Sequence, residues 1–204
     1  MILSILIPSI PSRFKLVQKL YKHIEKQVRD REVEILVLID NKKRSIGAKR
    51  QSLVDIAKGK YIAFVDDDDN VSGNYIDEML IGAKKNKDVI CFQQLATIND
   101  TWSYISFSIE NENDEFRPNE ITRRKPFHVC GIRRSLTKGA KFPDVGYGED
   151  WYWMEQVLKN VKTEYKTNKV LHFYTYEQSV SEAPTETNEI WKNLDKDYEE
   201  DKQG

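Results

Sequence analysis

Short apolar runs alternating with helix-periodic segments constrain this chain more than any other feature of its sequence. Residues 2–7 are aliphatic apart from Ser4 and stop at Pro8. Residues 33–39 form a second run, ending at Asp40-Asn41, and residues 61–65 a third, which leads directly into Asp66, Asp67, Asp68 and Asp69. Each run is too short for a helix and apolar on both faces, the pattern of a strand covered on two sides. Between the first two, Val17, Leu20, Tyr21, Ile24 and Val28 recur at helical spacing, with Ser12 as the expected N-cap. A second helix is expected from about residue 45 to 58, stopped by Gly59. Ile76, Met79, Leu80 and Ala83 mark a third helix, and residues 89–92 a further strand.

This alternation predicts an α/β fold: an open, mostly parallel sheet flanked by helices, with ligands outside the carboxyl ends of the strands. Pro8-Ser9, Asp40-Asn41 and the aspartate run all fall at such ends. Past about residue 95 the pattern changes. Residues 102–109 alternate like a half-exposed strand, residues 110–126 are polar and predict a loop, and residues 127–132 predict a strand facing the sheet ends. A helix follows Gly146-Tyr147-Gly148-Glu149-Asp150, and residues 170–176 predict the last strand. The expected organisation is a donor-binding half at 1–99, a small mixed acceptor-side half of the same domain at 100–182, and a charged tail at 183–204.

With 32 Lys and Arg against 33 Asp and Glu in 204 residues, the composition argues against a general electrostatic grip on nucleic acid. No apolar stretch reaches the length of a spanning helix, and the first lacks a signal-peptide pattern. Cys91 and Cys130 form no Cys-x-x-Cys pair and predict buried free thiols, so a cytoplasmic location is expected.

Four adjacent aspartates at the end of a buried strand repel one another, which makes a bound cation the natural reading. A solvated loop is the plain alternative. A calcium loop fits the spacing of Asp66, Asp68, Asn70 and Ser72 but fails at Val71, where glycine is needed, and at Asp77, where glutamate is expected. Carboxylate oxygens suit Mg²⁺ or Mn²⁺. Alternate strand positions point the same way, so Asp66 and Asp68 are expected to face the ligand together.

In this order the segments resemble the family 2 glycosyltransferases with the GT-A (nucleotide-diphospho-sugar transferase) fold, over residues 4 to about 181. The compact size is reminiscent of small phage or bacterial members. Ile7-Pro8-Ser9 with Arg13 resembles the segment that cups the nucleotide base, and Asp40 the acidic contact to base or ribose. Gly47-Ala48-Lys49-Arg50-Gln51 resembles the stretch before the metal motif, implying that Lys49 or Arg50 approaches the diphosphate or base. Asp66-Asp67-Asp68 matches the family's DxD motif. The resemblance implies Asp68 and Asp66 as metal ligands, Asp67 at the donor and His172, in Val170-Leu171-His172-Phe173-Tyr174, as completing the metal sphere. Glu149-Asp150 resembles the acidic pair at a helix start, with Asp150 as catalytic base and Glu149 as the fallback. His128 has no evident partner and is read as structural or as an acceptor contact.

What the resemblance implies is metal-dependent, inverting transfer of a sugar from a nucleotide-sugar, UDP-linked by family habit, to an acceptor hydroxyl on a glycan or on a modified nucleobase in DNA. Trp102, Tyr104, Trp151 and Trp153 are candidate stacking residues. Arg117, Arg123, Arg124, Lys125, Arg133 and Arg134 form a basic cluster in sequence. Two rivals are a nucleotidyltransferase, for which Pro8-Ser9-Ile10-Pro11 lacks the glycine-rich loop, and a non-catalytic nucleotide-sugar binding module.

Overall fold

A computed structural model describes residues 1–176. The tail beginning at 183 lies outside the described residues, as does the end of the acceptor-side half. In chain order the elements are β1 (Leu3–Ser9), α1 (Phe14–Val28), β2 (Val33–Ile39), α2 (Ile46–Ile56), β3 (Tyr61–Phe64), β4 (Asn70–Val71), α3 (Tyr75–Lys84) and β5 (Val89–Ile98). They continue with β6 (Thr101–Phe107), β7 (Ile121–Arg124), β8 (Gly131–Arg133), α4 (Glu149–Leu158) and β9 (Glu164–Tyr176).

These strands form one sheet in the order β2-β1-β3-β8-β5-β6-β7, with β9 against β5 and β4 against β9. β1 is parallel to both β2 and β3. β8 runs antiparallel to β3 and to β5, so β5 keeps the direction of β1, β2 and β3, and β9 is parallel to β5. The expected open α/β sheet with helices on its faces is therefore present. The sequence-predicted strands 2–7, 33–39 and 61–65 all lie in its parallel part.

The core explains the arrangement. Leu3, Ile5, Leu6, Ile7, Ile62 and Phe64 are inaccessible to solvent, so β1 and β3 are covered on both faces. Helix α1 buries Val17, Leu20 and Ile24, and α3 buries Ile76, Met79 and Ala83, as their spacing requires. Gly59 sits where an added Cβ would meet the Ser4 backbone nitrogen at 2.5 Å; the close approach lets its own N–H donate to Ser4 Oγ.

Three local expectations differ. Ser12 does not cap α1: Pro11–Arg13 form a 3-10 turn, and Arg13 takes the N-cap position while its side chain reaches two aspartates. Residues 110–126 are not simply a loop, because β7 pairs with β6 from Tyr104↔Ile121 to Phe107↔Arg124. Of residues 127–132, only the end enters a strand: β8 fills the gap between β3 and β5, and Phe127 to Cys130 close a turn through Cys130 N–H to Phe127 O. Cys91 and Cys130 are both free and buried, as expected. No helix among the described residues is long and apolar enough to cross a membrane.

Candidate active site

A cleft of about 690 Å³ opens over the carboxyl ends of β1 and β3, between the start of α2 and the start of α4. Pro8, Ser9, Arg13, Lys49, Arg50, Asp66, Asp67, Asp68, Glu149 and Asp150 all line it. Residues from four separate stretches of sequence thus meet where the topology of such a sheet places ligands.

The aspartates divide by role. Asp67 turns away toward β1: Ser9 Oγ donates to its Oδ2 at 2.5 Å and Arg13 Nη1 to its Oδ1 at 2.8 Å. Burial pushes its pKa up, and the Ser9 and Arg13 hydrogen bonds only partly oppose this. Asp68 is the exposed member, 2.9 Å from Arg13 Nη1. Asp66 faces the centre of the cleft. Arg50 Nη2 lies 3.0 Å from its Oδ2 and 2.9 Å from its Oδ1, yet Oδ1 accepts no hydrogen bond. Burial works against ionised Asp66, but the nearby Arg50 cation outweighs it and holds the pKa low. Asp69 is buried behind the others, and burial together with the charges of Asp66 and Asp68 lifts its pKa well above the carboxylate range.

Arg50 is the hub. Its guanidinium is 4% exposed and donates through Nε to Glu149 Oε1 at 3.0 Å and through Nη2 to Asp66, while stacking 5.1 Å from the centre of the Phe64 ring. Glu149 is consequently buried and paired, its pKa raised by burial against the pull of Arg50. Asp150, the next residue, keeps a quarter of its side chain exposed to the cleft. Gly148, at φ 76°, turns the chain into α4 and sets that alternation. Asp150 Oδ1 accepts from Trp151 N–H at 2.7 Å, while Oδ2 lies 3.4 Å from His128 Nδ1.

His128 is the residue that sequence reasoning left without a partner. Its ring sits between Asp150 and Asp66, with Nε2 3.9 Å from Asp66 Oδ2. Burial, reinforced by the Arg50 charge, lowers its pKa to about 4, so the ring is neutral at ordinary pH. Nothing near it in sequence announced the pairing, because Asp66 and Asp150 lie far away along the chain.

Lys49 lines the opposite wall, and Asp40, which does not line the cleft, pairs with it from the end of β2. Lys49 Nζ donates to Ser9 O at 3.1 Å and lies 3.4 Å from Asp40 Oδ1, tying the ends of β1 and β2 together. Burial disfavours the Asp40 charge, but Arg44 and Lys49 prevail and hold its pKa below the usual range. Ser45 caps α2, accepting from Ala48 N–H at 3.0 Å, and donates to Asp144 at 2.5 Å, which fixes the segment leading into α4.

His172 does not line the cleft. It is fully buried on β9, its Nε2 3.4 Å from Asp69 Oδ2 and its Nδ1 3.3 Å from Gln94 Nε2, and burial lowers its pKa to about 4. Among the described residues no three His, Cys, Asp or Glu side chains form a ready-made metal cage. The donor set nevertheless fits a hard cation completed by ligand oxygens: Asp68 is open to the cleft, and Asp66 Oδ1 and His172 Nε2 are polar atoms without hydrogen bonds. The sequence-level basic cluster is dispersed. Arg117 pairs with Asp114, Arg124 and Lys125 line a second pocket, and Arg133 and Arg134 turn to the other end of the sheet. Trp151 reaches the cleft, Trp153 is core, and Trp102 and Tyr104 pack on each other along β6.

Residues 12–140 match the model of glycosyl transferase family 2. The chain belongs to this family. Its fold is that of S. aureus TarS: the TarS 1-349 structure in complex with UDP-GlcNAc aligns with a TM-score of 0.60 at 14% identity, covering 90% of this chain and 62% of TarS 1-349. The complex of the same fragment with UDP aligns with a TM-score of 0.58 at 14% identity, over 87% and 61%. This chain therefore spans about three fifths of that fragment. No curated protein matches it in sequence. The family match ends at residue 140; Asp66, Asp67 and Asp68 within it and the Glu149-Asp150 pair beyond it line the same cleft.

Proposed function

We propose that this protein transfers a sugar from a nucleoside-diphosphate sugar to an acceptor hydroxyl with inversion at the anomeric carbon. The observation that carries the reading is Asp150 facing Asp66 and Asp68 across one cleft, with only one of the two residues of the Glu149-Asp150 pair free to act. UDP is the proposed nucleotide, since TarS 1-349 is known in complex with UDP and with UDP-GlcNAc.

In this reading Asp40 and Lys49 border the base and ribose, and Pro8, Ser9 and Arg13 form the floor under them. Asp68 and Asp66 would hold Mn²⁺ or Mg²⁺, with His172 supporting the set through Asp69. Such an ion, when bound, supplies Lewis-acid stabilisation of the diphosphate leaving group. Arg50 keeps Asp66 ionised and oriented, while Arg13, 2.9 Å from Asp68, orients that carboxylate. Asp150 accepts the proton from the acceptor hydroxyl as its oxygen bonds to the anomeric carbon; the bond to the diphosphate oxygen breaks and its electron pair leaves with the nucleotide. Neutral His128, beside Asp150, leaves that carboxylate free to take the proton. The proposed acceptor carries its hydroxyl on a glycan or on a modified nucleobase.

The test pairs binding with turnover. UDP with Mn²⁺ should raise the melting temperature of the parent protein and of Asp150→Asn alike, whereas UDP release from its UDP-sugar should fall about 10²–10⁴-fold in the variant. Asp68→Ala should lose the Mn²⁺-dependent part of the stabilisation. Undiminished release by Asp150→Asn would remove that residue as the base.

A further inference from the structure

A second pocket, of about 370 Å³, adjoins the cleft and shares with it Asp66, Phe127, Asp150, Trp151 and Tyr174. The proposed base therefore stands at the seam between the two. Beyond the seam the walls are apolar: Ala96 and Ile98 from β5, Ile105 and Phe107 from β6, with Phe116 and Val129 closing the far side. A volume of this order is within the usual range for a small-ligand site.

Its polar side chains are unequal. Asp66 and Asp150 lie at the mouth beside His128, Asp69 and Gln94 are engaged with His172, Asn113 Oδ1 accepts from Lys125 N–H at 2.9 Å, and Lys125 is paired with Glu112 at 3.1 Å. Arg124 differs. It closes β7, is partly buried, and its guanidinium makes no hydrogen bond or ion pair among the described residues; Asp114, the carboxylate whose charge acts on it, is paired with Arg117. Burial lowers its pKa, the mark of a cation held away from water without a full counter-charge.

A free sugar presents hydroxyls on nearly every side and would leave them unsatisfied against these walls. A flat apolar body would not. We propose that the acceptor is a hydroxyl borne on a flat, apolar, ring-sized body that also carries an anionic group, the hydroxyl meeting Asp150 and the anion Arg124. The inference rests on the donor reading above, because Asp150 serves both. In the transfer the acceptor oxygen gives its proton to Asp150 and gains the bond to the anomeric carbon, and the nucleoside diphosphate departs with the electron pair.

The experiment measures binding by ligand-observed NMR to the whole chain, with and without UDP and Mn²⁺, for 4-(hydroxymethyl)benzoate, benzyl alcohol and methyl glucoside. The benzoate should bind most tightly, and Arg124→Gln should weaken it about tenfold, as expected for loss of a charge-assisted pair, with Arg124→Lys recovering part. Benzyl alcohol should bind both forms equally. With UDP and Mn²⁺ saturating the donor cleft, tighter binding of 5-hydroxymethyluridine monophosphate than of the benzoate would support the same chemistry with a nucleobase as the flat body. Binding of methyl glucoside as tight as the benzoate, or benzoate affinity unchanged in Arg124→Gln, would overturn the inference. If UDP binds and the aryl acids do not, only this inference is lost; if UDP fails to bind, the donor reading is lost and the acceptor role of the pocket with it.

Discussion

At the scale of single residues, the site depends on Arg50 more than on any one aspartate. Its guanidinium joins the end of β3 to the start of α4 through two carboxylates, and among the described residues neither has another Lys or Arg paired with its oxygens. Arg50→Met keeps the length and loses the charge, stranding Glu149 inside the protein. Breaking a buried pair in this way costs about 3–5 kcal/mol, so urea unfolding should show a drop of that order; a change under about 1 kcal/mol would mean the carboxylates find water. His128 gives a pH signature. Its folded pKa of about 4 lies below the ordinary 6.5, so between those values the unfolded chain binds more protons and stability falls as pH falls. Asp69 and Glu149, with raised pKa values, slope the other way, so the signal is differential. Relative to His128→Gln, the parent should lose about 3 kcal/mol from pH 7 to pH 4. Parallel stability curves for the two proteins would show that His128 is not held neutral. The aspartate run was legible because a buried strand feeds it. The partners of Arg50 and His128 were not, since Glu149 lies 99 positions from Arg50 and only the closed sheet brings them together.

At the scale of elements, the registration of α2 against the segment entering α4 decides where Asp150 stands. Gly47 makes it work: an added Cβ would lie 1.9 Å from Pro143 O and 3.2 Å from Glu149 Cβ. The absence of a side chain there lets Gly47 N–H donate to Val145 O and lets Arg50, three positions on, reach Glu149. Gly47→Ala must push the two segments apart. Overpacking of this kind costs about 1–3 kcal/mol, and displacement of the base should lower turnover by about 10²-fold, with UDP stabilisation far less affected. Equal losses of UDP binding and turnover would locate the role of Gly47 in donor binding instead. The long periodic elements were readable from sequence because each buries a continuous stripe or both faces. β7 was not, and β8 was caught only at its start, both being short, in part charged, and held by neighbours rather than by any pattern of their own.

At the scale of the whole molecule, the proposed donor and acceptor halves should unfold as one cooperative body because the sheet interleaves them. β8, from residues 131–133, lies between β3 and β5, and β9 runs along the length of β5. Neither half can leave without stripping a buried strand edge from the other, and unpaired buried backbone groups are costly. The proposed boundary at 99 therefore divides no folding unit, in keeping with the expectation of one domain drawn from the continuous alternation of strands and helices. The four tryptophans make this testable: Trp102, Trp151, Trp153 and Trp191 all follow residue 99, whereas α1, α2 and α3 precede it. With Trp191, which lies in the tail outside the described residues, replaced by Phe, indole fluorescence reports the acceptor side, and far-UV circular dichroism is dominated by helices of the donor side. In urea the two signals should give a single coincident transition, the mark of all-or-none unfolding. Saturating UDP with Mn²⁺ should move both by the same amount, since a ligand that binds only the folded state stabilises the whole cooperative unit. A fluorescence transition at lower urea than the helical signal, or one left unmoved by UDP, would show that the acceptor half opens on its own.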